Sequence, residues 1–278
     1  MTIDEIIREA LAEDIGDGDH SSLSTIRADA QGRANLLVKQ KGVLCGVEVA
    51  RKVFATVDPQ LVFQVFIQDG IEVNPGDVAF SVAGRAISIL SGERLALNFM
   101  QRLSGIATAT RLMVNELQGT KTKLLDTRKT TPLLREFEKM AVRTGGGENH
   151  RMGLYDMIMI KDNHVDFAGG IRPAIEATHK YLKEKSLDLK IEIEVRNFAE
   201  LNQVIETGGV NRIMLDNFGV EDLKKAVDLI SGRFETEASG KINIGNIRSY
   251  AETGVDFISS GALTHQIKSL DMSLKAEF

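Results

Sequence analysis

Between Leu124 and His164 the chain reads LLDTRKTTPLLREFEKMAVRTGGGENHRMGLYDMIMIKDNH, gathering Arg128, Lys129, Arg143, His150, Arg151, Lys161 and His164 into one short stretch. Such a set can neutralise several negative charges. Arginine forks match carboxylates and phosphates two bonds at a time, and lysine acts as a mobile point charge, so the mixture suits a ligand carrying both groups. A solvated basic face is the plainer alternative. Here, however, the cations alternate with Gly145, Gly146, Gly147, Asn149 and Asn163 rather than with the Glu and Ser of a surface helix. The GGGENHR segment fits neither the P-loop pattern nor the dinucleotide-binding pattern. Its glycines are read as letting the backbone bring His150 and Arg151 into a pocket.

Two acids, Glu194 in IEIEVRN and Asp216 in IMLDNF, occupy matched places in consecutive apolar runs. A cleavage passing through a ribosyl cation needs negative charge beside the developing oxocarbenium ion, and a pyrophosphate leaving group needs a divalent ion. Either acid alone could equally be a cap or a salt-bridge partner. No paired histidines stand at metal-ligand spacing, so the expected ion is magnesium, carried largely by phosphates. Glu194 and Asp216 would meet it through water or pyrophosphate. Near the end, EASGKIN and ISSGALTH offer Ser239, Gly240, Ser260, Gly261 and His265, small residues and exposed amides of the kind that accept a phosphate.

The elements that must position these residues follow from periodicity. Residues 1 to about 90 combine a helix from Ile3 to Glu13, a polar loop EDIGDGDHSS and alternating stretches, which predicts an antiparallel sheet module. Cys45, in GVLCGVEV, reads as a packed strand residue without a catalytic role. From Ser91 a helical period begins, with Leu95, Phe99, Leu103 and Ile106 near one face. Beyond it, apolar runs alternate with helical stretches, as in parallel βαβ units. Lys129, Lys161, Glu194, Asp216, Ser239 and Gly261 stand where these strands should end, and α/β barrels build their sites at carboxyl strand ends.

At 278 residues with 43% hydrophobic content, the chain has room for two domains. The net charge of −5 argues against nucleic acid as the main partner. No apolar run is long enough for a membrane span, the first residues do not form a secretory signal, and a cytoplasmic location is expected. One cysteine excludes an internal disulfide framework.

The ordered set LAEDIGDGDHSS, GERLALNFMQRLSGIAT, DTRKTTP, GGGENHRMGLYDMIMIKDNH, EIEV, MLDNF, EASG and SSGALTH resembles the type II phosphoribosyltransferases, specifically the quinolinate phosphoribosyltransferase family, over nearly the whole chain. Leu95 is the one change noticed, where many members carry a small or hydroxylated residue. The resemblance implies an α/β fold: an incomplete α/β barrel with an amino-terminal α+β open-sandwich domain. The sandwich would take residues 1–105 and the tail 267–278, and the barrel residues 106–266. It also implies a homodimer or larger assembly with shared sites. Arg94 would reach across from a partner, while Arg128, Lys129, His150, Arg151 and Lys161 would surround the quinolinate carboxylates. Lys129, Lys161, Glu194 and Asp216 would be catalytic, the two acids lying under the ribose and near Mg2+. Ser239, Gly240, Ser260, Gly261 and His265 would hold the 5-phosphate of phosphoribosyl pyrophosphate. No organic cofactor is implied. Pyrophosphate would leave the ribose carbon, the pyridine nitrogen would attack, and the 2-carboxylate would depart as carbon dioxide, giving nicotinate mononucleotide. A paralogous pyrophosphorylase of the same fold, of the type associated with molybdate transport, would share most motifs. A Schiff-base aldolase with Lys161 as nucleophile, or a non-catalytic binding protein on the same barrel, are rivals of other classes.

Overall fold

A computed structural model describes residues 1–277. In chain order the elements begin α1 (Ile3–Ile15), α2 (His20–Thr25), β1 (Gln31–Val38), β2 (Gly42–Val43), α3 (Val47–Val57), β3 (Val62–Val65), β4 (Glu72–Val73), β5 (Val78–Arg85) and α4 (Ala86–Glu116). They continue with β6 (Lys123–Leu125), α5 (Arg135–Gly145), β7 (Ile158–Ile160), α6 (Asp162–Ala168), α7 (Ile171–Lys185), β8 (Ile191–Val195), α8 (Phe198–Thr207) and β9 (Arg212–Asp216). The last are α9 (Val220–Ile230), β10 (Glu235–Ser239), α10 (Ile247–Ala251), β11 (Phe257–Ser259), α11 (Ala262–His265) and β12 (Met272–Glu277). No described helix is long and apolar enough to cross a membrane.

The chain divides into two compact units, one of Met1–Arg111, Thr130–Gly146 and Leu263–Phe278, the other of Leu112–Lys129 and Gly147–Ala262. In the first unit, Thr2 and Glu5 form a reciprocal capping box that starts α1, whose Ile6, Ile7 and Leu11 are buried. An antiparallel sheet runs in the order β12-β1-β5-β3, as the alternating stretches predict. Phe54, Phe63 and Phe80 cluster in its core, with the Phe63 and Phe80 rings 4.3 Å apart.

Two local expectations change. Cys45 is fully buried but lies in the loop between β2 and α3, where Ser104 accepts at one end and donates at the other: its hydroxyl bonds both the Cys45 amide and the Cys45 carbonyl. The long helix starts at Ala86 rather than Ser91. The run AISIL fits a period of two as well as a period of 3.6, and five residues are too few to separate them. Burial of Ser88, whose hydroxyl donates to Asp58 at 2.8 Å, and of Ile89 favours the helix.

In the second unit six parallel strands run in the order β6-β11-β10-β9-β8-β7. The two edge strands, β6 and β7, are consecutive in this unit yet lie at opposite ends of the sheet, which makes an incomplete α/β barrel. The helices between the strands bury one stripe each, such as Leu201 and Val204 on α8 and Leu223, Ala226 and Ile230 on α9. Asn197 caps α8 by accepting the Glu200 amide at 3.0 Å.

Within the first unit, Gly105 in α4 lies against the Lys268 carbonyl, and an added Cβ would collide with that backbone oxygen. Alanine gains about 1 kcal/mol of helix propensity over glycine, but overpacking against fixed backbone costs about 1–3 kcal/mol. Gly105→Ala should therefore lower the midpoint of thermal unfolding, and an unchanged or raised midpoint would show that residues 266–269 shift freely.

Candidate active site

Strand geometry decides which side chains share a face, because alternate residues point the same way. On β8 this pairs Glu192 with Glu194, on β9 it aligns Arg212, Met214 and Asp216, and on β10 Glu235, Glu237 and Ser239. The parallel register sets Glu192 and Glu235 beside Arg212, and Ser239 beside Asp216. One face of the sheet therefore carries charge in layers, a deeper one around Glu192, Arg212 and Glu237 and an outer one at the carboxyl strand ends.

The outer layer holds the expected residues in specific bonds. Lys161, directly after β7, places Nζ 2.9 Å from Glu194 Oε2, and its amide donates to His164 Nδ1 at 2.9 Å. Asp216 closes β9, where Oδ1 accepts the Ser239 hydroxyl at 2.5 Å and Oδ2 accepts the Asn217 side-chain amide at 2.5 Å. Gly240 follows with φ of +100° against the Asn217 carboxamide, a conformation and a closeness that both require glycine. Ser260 is buried, its amide donating to Leu125 and its hydroxyl to the Ile242 carbonyl. Gly261 is two residues past β11.

The loop after β6 carries the cations differently from expectation. The strand ends at Leu125, so Arg128 and Lys129 are exposed in the loop beyond it rather than at its tip. Asp126, fully buried at the strand end, accepts the His150 amide at 2.9 Å and the Asn149 side chain at 2.5 Å, pinning the segment that ends in Arg151. Arg151 is half-buried, and its Nη1 donates to the Met157 carbonyl at 3.1 Å. Burial and the neighbouring Arg128 both hold the Arg151 guanidinium below its ordinary pKa. Arg94 on α4, Arg143 on α5 and His265 belong to the first unit, where all three are exposed. The basic stretch of sequence is thus divided between the units.

His150 itself is buried, its side chain only 5% exposed. Its Nδ1 accepts the Arg151 amide at 2.7 Å, while Nε2 lies 2.9 Å from Glu192 Oε2 and 3.4 Å from Glu237 Oε2. Burial disfavours a charged imidazole, whereas the two carboxylates favour one. The Arg151 amide opposes a second proton, because Nδ1 must keep a lone pair to accept. With that hydrogen bond formed, the ring carries its proton on Nε2, facing Glu192, whose own pKa burial and Glu237 raise to about 7. Burial also works against ionised Glu237, but His150, Ser259 and Arg212 keep its pKa below the usual value. Arg212 donates to Glu237 at 3.0 Å and to Glu235, and its guanidinium carbon stacks 3.9 Å from the centroid of the Phe257 ring.

Sequence reading missed Asp126, Glu192, Arg212 and Glu237. A signal existed: in IEIEV and FETEAS charged residues recur at every second position, and in NRIMLD Arg212 and Asp216 share one face with Met214 between them, where a barrel interior is ordinarily apolar.

The chain matches "Quinolinate phosphoribosyl transferase, N-terminal domain" over residues 19–104 and "Quinolinate phosphoribosyl transferase, C-terminal domain" over residues 106–275. It is 45% identical to quinolinate phosphoribosyltransferase [decarboxylating] 1b of Nicotiana tabacum, covering 98% of this chain and 81% of that protein. It is 46% identical to a chloroplastic nicotinate-nucleotide pyrophosphorylase [carboxylating] of Arabidopsis thaliana, covering 98% and 82%. Among solved structures, NadC from Streptococcus pyogenes is similar with a TM-score of 0.93 at 41% identity, covering 98% of this chain and 95% of that one. A nicotinate-nucleotide pyrophosphorylase from Francisella tularensis gives a TM-score of 0.92 at 41% identity, covering 99% and 96%.

Because Asp126 holds both Asn149 and the His150 amide from a buried position, Asp126→Ala should cost about 2–3 kcal/mol of stability. It should also abolish most ligand binding at Arg151. Denaturant unfolding and ligand titration together check this, and a variant that unfolds and binds like the wild type would show that the segment is held elsewhere.

Proposed function

The chain belongs to the quinolinate phosphoribosyltransferase family, and from that we propose how its residues carry out the decarboxylating transfer of ribose 5-phosphate to quinolinate. The enzyme is a pentosyltransferase of NAD biosynthesis that takes quinolinate and phosphoribosyl pyrophosphate to nicotinate mononucleotide, pyrophosphate and carbon dioxide. The observation that carries the residue assignment is the half-buried Arg151 guanidinium, held by the Met157 carbonyl at 3.1 Å and kept below its ordinary pKa by burial and by the like charge of Arg128. Two such like charges are stabilised when a dianion enters, and the two ring carboxylates of quinolinate supply one.

Arg128, Lys129, Arg151 and Lys161 meet quinolinate in this proposal, and His150 serves the same site from behind, through the Arg151 amide. Lys161 contributes charge rather than an imine, since its Nζ is already paired with Glu194. Glu194 and Asp216 face the ribose, where negative charge stabilises the oxocarbenium ion as pyrophosphate leaves and the pyridine nitrogen attacks. Loss of the 2-carboxylate as carbon dioxide follows, because the ring nitrogen is then positive and draws the electron pair. Ser239, Gly240, Ser260, Gly261 and His265 are assigned to the 5-phosphate.

Two carboxylates are hard oxygen donors and suit Mg2+. Each already has protein partners, Lys161 for Glu194 and Ser239 with Asn217 for Asp216, which favours contact through water or pyrophosphate. When bound, Mg2+ would neutralise charge on the leaving pyrophosphate. No organic cofactor enters the scheme. A cytoplasmic location is proposed as well, consistent with a single, buried cysteine.

Purified protein should turn over quinolinate with phosphoribosyl pyrophosphate and magnesium, followed at the pyridine absorbance. Nicotinate should be turned over at a small fraction of that rate, since one carboxylate leaves the Arg128 and Arg151 pair half-compensated and nothing to expel. Comparable rates would reject the assignment.

The assembly is proposed to be a homodimer or larger, in which exposed Arg94 serves a partner's site. Arg94→Ala and Lys129→Ala should each be nearly inactive alone. Equal amounts co-refolded and reassorted at random should regain roughly a quarter of wild-type activity, because half the dimers are mixed and half their sites intact. No recovery in verified mixed dimers would place Arg94 within its own subunit or outside the site.

A further inference from the structure

Inside the second unit, His150 Nδ1 accepts the Arg151 amide, and Nε2 stands within ion-pair distance of Glu192, 2.9 Å from Oε2. A ring that accepts at Nδ1 must carry its proton on Nε2, and a buried N–H needs an acceptor. Two carboxylates face it. Glu237 is engaged by Arg212 at 3.0 Å, and Arg212 is fixed in turn by Glu235 and by stacking on Phe257. Glu192 is left as the nearer partner, at 2.9 Å against 3.4 Å for Glu237.

The consequence runs outward along a short chain of contacts. Asp126 accepts the His150 amide, Glu192 lies 2.9 Å from the ring's Nε2, and the ring's Nδ1 accepts the Arg151 amide. The Met157 carbonyl then holds the far end of the same arginine. A long, flexible side chain is thereby held at both ends before any ligand arrives, which reduces the entropy lost on binding.

We propose that Glu192 is a positioning residue, which through the His150 ring presents the Arg151 guanidinium to a carboxylate of the substrate. The identity of that carboxylate rests on the quinolinate reading above. His150, Glu192 and Glu237 also place three potential ligand atoms within 4.8 Å of one another, a spacing a divalent ion could bridge. That use conflicts with the ring, because Nε2 bears the proton and cannot ligate while Nδ1 accepts from Arg151.

The test compares steady-state constants and thermal unfolding for the wild type, Glu192→Leu, Glu192→Gln, Arg151→Ala and the double variant Glu192→Leu with Arg151→Ala. Leucine fills the site without an acceptor, whereas the glutamine carbonyl oxygen still accepts from Nε2. Glu192→Leu should raise the KM for quinolinate roughly tenfold through displacement of Arg151, with the KM for phosphoribosyl pyrophosphate changed less than about twofold. Glu192→Gln should restore most of the quinolinate affinity. In the Arg151→Ala background, Glu192→Leu should add less than about a twofold further loss, the non-additivity of residues acting in series. Should Glu192→Leu lack a cooperative unfolding transition, His150→Phe, with and without Arg151→Ala, gives the same comparison and the same expected pattern. Equal losses for both substrates, or independent multiplication of the Glu192 and Arg151 effects, would overturn the inference. Turnover of quinolinate by the wild type, measured alongside, judges the functional reading separately.

Discussion

The constraint on which the second unit depends is the burial of two carboxylates inside a parallel sheet. Glu192 and Glu237 are fully buried, and isolated charges in such a place would cost several kcal/mol each. Arg212 and His150 offset that cost, the first by reaching both Glu235 and Glu237, the second by turning its Nε2 proton toward Glu192 and Glu237. Breaking one member of such a set leaves its partner buried and uncompensated. A set of apolar residues of similar volume would often be as stable or more so, so the cluster is better understood by what it holds in place than by net stability.

What it holds is the segment from Asn149 to Arg151. The chain here has no regular secondary structure, and its order comes from side chains: Asp126 beneath the His150 amide, the imidazole against the next amide, and Met157 on the guanidinium. The outer layer works in the same manner. Lys161 and Glu194 restrain each other, and Asp216 is restrained by Ser239 and Asn217. The charged groups at the strand ends are thus paired internally rather than left loose. Pairing before binding avoids both self-repulsion and the ordering of loose side chains during reaction.

The first unit uses a comparable device. Arg102 on α4 forks onto buried Glu138 of α5 and donates to the Thr131 hydroxyl and the Thr264 carbonyl, while Glu138 also accepts the Thr131 amide. One ion pair therefore fixes two chain segments that are far apart in sequence. One of them begins next to Lys129 and the other contains His265. Phe99 and Phe137, 4.8 Å apart, add an apolar contact between the same two helices.

The sequence alone determined the class of fold and most of the outer layer, because both depend on local patterns. Alternation in β1, β5 and β8, the helical spacing of Leu95, Phe99, Leu103 and Ile106, and polar residues closing the strands at Lys161, Asp216 and Ser239 are legible from spacing. The ordered motifs then named the family. Tertiary structure decided what has no local signature. The five residues AISIL fit helix and strand equally until Ser88 and Ile89 found buried places. Cys45 was buried as expected, but in a loop whose amide and carbonyl are satisfied by a helix residue 59 positions away. The roles of Asp126, Glu192 and Glu237 arise only when β6, β8 and β10 are brought to their places, since a carboxylate's function depends on which donors surround it. The same is true of His150: its type was visible in the sequence, but its tautomer follows from an amide on one side and two buried acids on the other.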